Sequence, residues 1–265
     1  MLQLRDPDAG YRITSMQRLA AGGRWHTEAM RSYGRPMLYW FTRGQGKITI
    51  SGSARGYGPN NVVFLPTGTM HGFSMLGHVQ GTALHIPRAL ASEFPDTALH
   101  LRLRNKSQQA EMAAMIDALE RENAGQLAGC DRAMAHHAGL IAIWLERNAD
   151  LAERPHDNGA AARLSTAFTA LLERDFRTGA NVSSYAAKLG VTPTHLSRAC
   201  REASGRSASR LIADRVHFEA RKLLTKTDLP VNEIARQLGF GSPAYFTRAF
   251  QSETGATPTA FRRAG

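Results

Sequence analysis

The sequence predicts an α+β chain with an N-terminal β-barrel, two following helices and an all-α C-terminal domain holding two helix-turn-helix units. Three observations predict it. Short runs rich in β-branched and aromatic residues, punctuated by Gly, Pro and Asn, fill residues 1–90, which is the pattern of closely spaced strands. Beyond residue 105 the apolar residues recur at the i, i+3, i+4 spacing of an amphipathic helix. Within residues 163–265 one helix-turn-helix pattern occurs twice. The expected units are therefore a barrel at 1–105, a helical pair at 106–150, a linker at 151–162 and the doubled unit at 163–265.

The strand-like runs are MLYWFTRG (37–44), GKITISG (46–52), NVVFLP (61–66) and HVQGTALHIP (78–87). A small barrel of such strands can hold a small molecule in its interior. Arg31, Tyr39, Phe41 and His71 are the candidate lining residues. Residues 66–71, PTGTMH, have the form PxGxxH and resemble the second motif of the cupin barrels, and the GxG at Gly44 and Gly46 is also cupin-like. That resemblance implies a metal held by an HxH pair and a glutamate from the first motif. Counting back from Gly44, those positions fall on Arg31, Tyr33 and Met37, and none of them restores the set. No metal, cofactor or catalytic residue is expected, and the chain is not expected to be an enzyme. His26, His78 and His85 either converge with His71 or are scattered strand and loop histidines; the scattered reading is favoured.

Met112, Met115, Ile116 and Leu119 make one helical stripe, and Leu140, Ile141, Trp144 and Leu145 make another. These faces need burial, either back on the barrel or against a second subunit, and a homodimer is the preferred expectation. The stretch RNADLAERPHDNGAA (147–161) is polar, carries Pro155, Asn158 and Gly159, and has no apolar period, so it reads as a linker. Cys130 and Cys200 fall in different predicted helices, and free thiols fit them better than a disulfide or a metal site.

The doubled unit is read most easily from its second copy. Val231, Ile234, Ala235 and Leu238 line a helix face, and Gly239 follows where a left-handed residue ends a helix. Ser242 can cap the next helix, Pro243 suits its first position, and Phe246, Ala249 and Phe250 turn inward. Ala244, Thr247, Arg248 and Gln251 are left facing out. In the first copy Ala186, Leu189 and Gly190 match Ala235, Leu238 and Gly239. After a turn one residue shorter, Pro193, Leu196, Arg198, Ala199 and Gly205 match Pro243, Phe246, Arg248, Ala249 and Gly255. Its outward residues are Thr194, Ser197, Arg198 and Arg201. A short helix, a tight turn and a second helix with a polar, basic outer face are the plan of a DNA reader. The helix between the copies, residues 209–225, would hold two readers at fixed separation for successive major-groove segments on one DNA face, about 34 Å apart.

The charge agrees with a polyanionic partner. The chain carries a formal net charge of +11, and residues 163–265 hold 16 Lys and Arg against 8 Asp and Glu. Residues 164–263 resemble the DNA-binding domain of the AraC/XylS family of bacterial transcription regulators. The residues carrying this are SSYAAKLGVTPTHLSRACREASG, the linking helix, and TDLPVNEIARQLGFGSPAYFTRAFQSETGATPTAFR. The resemblance implies binding to double-stranded promoter DNA near RNA polymerase, more often to activate, with the N-terminal half sensing a small-molecule effector and dimerising. Two departures stand out: Pro230 lies where the family often has a capping serine, and Ala244 is a poor base reader at an often polar position. Arg198 and Arg248 are the first candidates for base reading, since a guanidinium can bond guanine O6 and N7 together; phosphate contact is their other possible role. No apolar run reaches the roughly 20 residues that span a bilayer, and the N-terminus lacks a signal-peptide core, so no membrane association and a cytoplasmic location are expected. Two rival readings stay open: a cupin metalloenzyme with a DNA-binding appendage, and a DNA binder that needs no effector.

Overall fold

The computed structural model describes residues 10–264, apart from residues 22, 126 and 154–158 and the side chain of Arg24. The N-terminal half is one antiparallel sheet of β1 (Arg12–Ser15), β2 (Met37–Ile50), β3 (Ser53–Tyr57), β4 (Asn61–Leu65), β5 (His71–His85) and β6 (Leu99–Arg102). The strand order is β1-β5-β2-β4-β6, with β3 paired to the far half of β2. The expected barrel does not close: β1 and β6 end the sheet and do not pair with each other. Closure is unnecessary because alternation along the strands gives the sheet two apolar faces, each covered. Met37, Tyr39, Phe41, Val63 and Leu65 pack inward with Ile48, Tyr57 and Phe73, while Leu38, Trp40, Val62 and Phe64 face the other way.

The runs at 37–44 and 46–52, expected as separate strands, form the single strand β2. Gly44 and Gly46 mark not a break but a close backbone approach to the paired strand β5. Register shifts flank Arg43, and a Cβ at Gly44 would lie 2.4 Å from the His78 carbonyl oxygen, one at Gly46 2.1 Å from that of Ser74. Glycine is required there by proximity.

The outer face of the sheet is covered by α2 (Lys106–Gly125) and α3 (Cys130–Arg147). Met112, Ile116, Leu119, Ile141, Trp144 and Leu145 share its core, so most of both expected stripes is buried within the subunit. Leu140, read as part of the second stripe, points away: it is 55% exposed and lies one turn from Ile143, 43% exposed. After α3 the chain returns to the sheet edge, where Ala152 bridges Leu101 and the Glu153 amide donates to the His100 carbonyl at 2.7 Å. Part of the segment read as linker, 154–158, lies outside the described residues.

The C-terminal half is helical: α4 (Ala160–Asp175), α5 (Val182–Lys188), α6 (Pro193–Ser204), α7 (Ala208–Lys226), α8 (Val231–Gln237), α9 (Pro243–Thr254) and α10 (Pro258–Ala264). One core runs through it, from Phe168 and Leu172 to Phe246 and Phe250. Buried Arg215 on α7 holds both carboxylate oxygens of Glu173 at 2.6 and 3.0 Å and reaches Glu219 at 3.0 Å. Its guanidinium lies 3.8 Å from the centre of the Phe176 ring, pinning α7 to α4. Such a buried ion set specifies geometry more than it stabilises. Among the described residues no helix is long and apolar enough to cross a membrane.

The two halves touch directly. Ser165 Oγ on α4 donates to the Gly52 carbonyl at 2.9 Å, and Thr166 Oγ1 to that of Ser51 at 3.0 Å. On the other side Trp25 packs against Phe218 and Phe261, with ring centroids 6.0 and 6.2 Å apart.

Candidate nucleic-acid interface

Each helix-turn-helix unit is assembled by the same local chemistry. Asn181 caps α5, its side-chain oxygen accepting from the Ser184 amide at 3.0 Å. Lys188 ends that helix, and Gly190 adopts φ 67 while its amide donates to Ala187 and that of Val191 to Ala186. The second unit repeats this with Gly239 at φ 74, its amide on Arg236 and that of Phe240 on Ala235. Then Thr192 and Ser242 cap α6 and α9 by accepting from the amides of His195 and Tyr245, both at 3.2 Å. Both helices have 12 residues, begin with Pro and end at a left-handed glycine, Gly205 or Gly255. Pro230 starts α8 without a side-chain cap.

The repeat runs further than the expected matches. Ser204 Oγ donates to the Cys200 carbonyl and accepts from the Arg206 amide; Thr254 Oγ1 does the same with Phe250 and Ala256. A hydroxyl thus closes each second helix. Nothing in the apolar period signals it, although the Ser204–Gly205 and Thr254–Gly255 pairs could have been aligned.

The outer faces lie where the sequence placed them. Leu196, Ala199 and Cys200 are buried on α6, as are Phe246 and Phe250 on α9. Thr194, Arg198 and Arg201 are exposed and Ser197 half-buried; Ala244, Arg248 and Gln251 are exposed and Thr247 half-buried. Among the described residues Arg198, Arg201 and Arg248 make no ion pair, in contrast to Arg174, Arg210 and Arg236, which hold Asp175, Glu253 and Glu233. Two residues the sequence reading missed share one position in the repeat: His195 and Tyr245, each the third residue of its helix. Both are exposed, Tyr245 by 57%, at the helix end that enters a groove in this motif.

The units are tied together by more than α7. Gly179, at φ 72 before α5, abuts Gly239 in the turn of the second unit. A Cβ on Gly179 would lie 2.3 Å from the Gly239 oxygen, and one on Gly239 2.2 Å from the Gly179 nitrogen. Backbone meets backbone there, so the leader of the first unit lies directly against the turn of the second.

Residues 185–264 match the family model described as a helix-turn-helix domain. The transcriptional regulator GlxA of Rhizobium meliloti is 32% identical over 133 residues, half of this chain but a third of its own length. The probable transcription factor PqrA of Proteus vulgaris is 33% identical over 87 residues, 33% of this chain and 71% of that protein. The chain belongs to the AraC family of transcription regulators. A solved structure of apo ToxT from Vibrio cholerae aligns with a TM-score of 0.47 at 14% identity, covering 95% of this chain and 96% of that one.

In this AraC-family chain the four N-terminal candidates do come together. His71 Nδ1 lies 2.9 Å from the Thr69 carbonyl, which can only accept, so that nitrogen carries the proton. Nε2 is left to accept from the Tyr39 hydroxyl at 3.0 Å, and the Tyr39 oxygen in turn accepts from Arg31 at 3.4 Å. Arg31, with no exposed surface, also donates to the carbonyls of Thr27 and Ala29. Phe41 stacks on Tyr57 with centroids 3.9 Å apart. Burial, reinforced by the Arg31 charge, holds the His71 pKa well below the usual histidine value. With both ring nitrogens engaged, His71 has no lone pair free for a metal, and among the described residues no three His, Cys, Asp or Glu cluster as ligands. His85 shares the Tyr33 ring with His71, whereas His26 lies tilted against Trp25 and His78 is exposed beside Gln80.

Proposed function

We propose that this protein is a cytoplasmic transcription regulator, not an enzyme, that lays α6 and α9 into successive major-groove segments of promoter DNA. The observation that carries this is the matched pair of capped helices presenting Thr194, Ser197, Arg198 and Arg201 on one unit and Ala244, Thr247, Arg248 and Gln251 on the other. Their exposed arginines are uncommitted, and the half that holds them carries most of the net positive charge. His195 and Tyr245 join this surface. Two copies pair through the exposed Leu140 and Ile143 of α3, and the dimer acts beside RNA polymerase, as an activator.

The N-terminal domain supplies the effector response, with Arg31, Tyr39, Phe41 and His71 as the groups an effector engages. One observation favours a second reading, in which this domain only supports dimerisation: Arg31, Tyr39 and His71 are already hydrogen-bonded to one another. Thermal shift of the full chain against a panel of small metabolites separates the two readings.

Footprinting on the DNA flanking its own gene tests the main proposal. Two protected segments are expected, about 10–10.5 base pairs apart centre to centre for each subunit. A purified, folded protein that shifts no fragment better than random DNA at physiological salt would end it.

A further inference from the structure

The two recognition helices are built alike but do not present the same chemistry. Thr194 and Ala244 occupy the second position of their helices, His195 and Tyr245 the third, and Arg198 and Arg248 the sixth. All six are exposed. Residues three and four apart are neighbours on a helix surface, so in each unit the second and third residues border the arginine. Beside Arg198 stand a hydroxyl and an imidazole, both hydrogen-bonding groups. Beside Arg248 stand a methyl and a phenol ring, and the methyl can make no hydrogen bond with a base edge.

That ring is supported from below. Tyr245 lies 5.8 Å from Phe240 between centroids, and Phe240 lies 5.0 Å from buried Phe246 in a T-shaped contact. Phe240 stands in the turn of the second unit where Val191 stands in the first: its amide donates to Ala235 as that of Val191 donates to Ala186. Among the described residues no ring holds His195 in the same way. The second unit thus carries an apolar pair, Ala244 and a propped Tyr245, at the end of α9 that enters the groove in this motif. One base-edge group in the major groove answers to such a pair, the C5-methyl of thymine. Thr194 also has a methyl, but shares its position with a hydroxyl that can bond to a base edge.

Building on the reading of α6 and α9 as major-groove helices, we propose that the second unit reads thymine methyl groups with Ala244 and Tyr245, beside the base pair that Arg248 contacts, whereas the first unit depends on hydrogen bonds. The DNA site is then chemically asymmetric. Ala244, which lacks a polar contact, becomes a determinant of sequence preference rather than a gap in it.

Duplexes that the full chain binds best are selected from a library of random sequence, and their consensus is resynthesised with deoxyuridine for thymidine in one half-site at a time. Uracil keeps the O4 acceptor and lacks only the methyl. In one half-site affinity should fall by about threefold to fivefold for each methyl contacted, the effect of one buried carbon group; in the other it should fall by less than about twofold. In a protein carrying Ala244→Gly and Tyr245→Ala the thymine and uracil duplexes should bind equally. The DNA comparison uses only the native protein, so it stands even where the variant fails to fold. Equal losses in the two half-sites, no loss in either, a consensus without thymine, or a folded variant that keeps the uracil penalty would each overturn the proposal and leave the major-groove reading standing. A library that yields no consensus would end that reading, and the proposal with it.

Discussion

A single guanidinium can be asked which part of DNA it reads. Arg198→Ala and Arg248→Ala should each weaken promoter binding by roughly 1–3 kcal/mol and relax preference at one base pair if they reach base edges. Equal losses on all sequences, with a shallower salt dependence, would mark phosphate contacts instead, and a scan of single-base operator variants distinguishes the two. The glycines allow a sharper comparison within one molecule. Gly190 and Gly239 have nearly the same backbone, φ 67 and 74, but a Cβ at Gly190 meets nothing within 4 Å while one at Gly239 runs into Gly179. Gly190→Ala should therefore cost about 1 kcal/mol for the left-handed conformation alone. Gly239→Ala should cost clearly more, on the order of 2–4 kcal/mol with the clash added. Urea unfolding of the two variants decides, and equal losses would mean that the contact between the units is slack.

At the scale of elements, legibility depended on how local the cause was. Caps, proline starts and glycine stops of α5, α6 and α9 follow from neighbours in sequence, and the inward stripes on Leu196 and Phe246 needed only the helical period. Gly44 and Gly46 look like punctuation in the sequence and suggest two strands; their reason is the close approach of the paired strand β5 at His78 and Ser74, far along the chain. Of the expected α3 stripe, Leu140 alone points the other way, for a similar reason. Leu140 is apolar and in phase, yet the sheet takes Ile141, Trp144 and Leu145 and leaves Leu140 with Ile143 outside. That leftover pair makes its own prediction. Leu140→Glu with Ile143→Glu should leave the melting temperature nearly unchanged and convert a dimer to a monomer in light scattering; a variant that stays dimeric would move the interface elsewhere.

For the whole molecule, pH is a global probe. His26, His100 and His217 all have pKa values pushed down to about 4, in each case chiefly by burial. The unfolded chain binds protons on these rings near pH 6.5, so between about 6.5 and 4 it holds more protons than the folded one. Stability present at neutral pH should be withdrawn across that window as pH falls, on the order of 1 kcal/mol for each ring. Melting temperatures from pH 7.5 to 4.5 should decline accordingly, and His100→Gln should flatten the slope; a flat profile in the native protein would contradict the burial of these rings. What could not be read from the sequence at this scale is the meeting of the halves, since Ser165, Gly52, Trp25 and Phe218 become neighbours only after both domains have formed. The hydroxyls of Ser165 and Thr166 that seat α4 on the Ser51–Gly52 turn form a tie that does not run through the chain. Covalent continuity between the halves is then not what holds them side by side. Residues 1–153 and 159–265 produced as separate polypeptides should recognise one another and purify as one particle, held by the two hydroxyl contacts on one side and by the packing of Trp25 on Phe218 and Phe261 on the other.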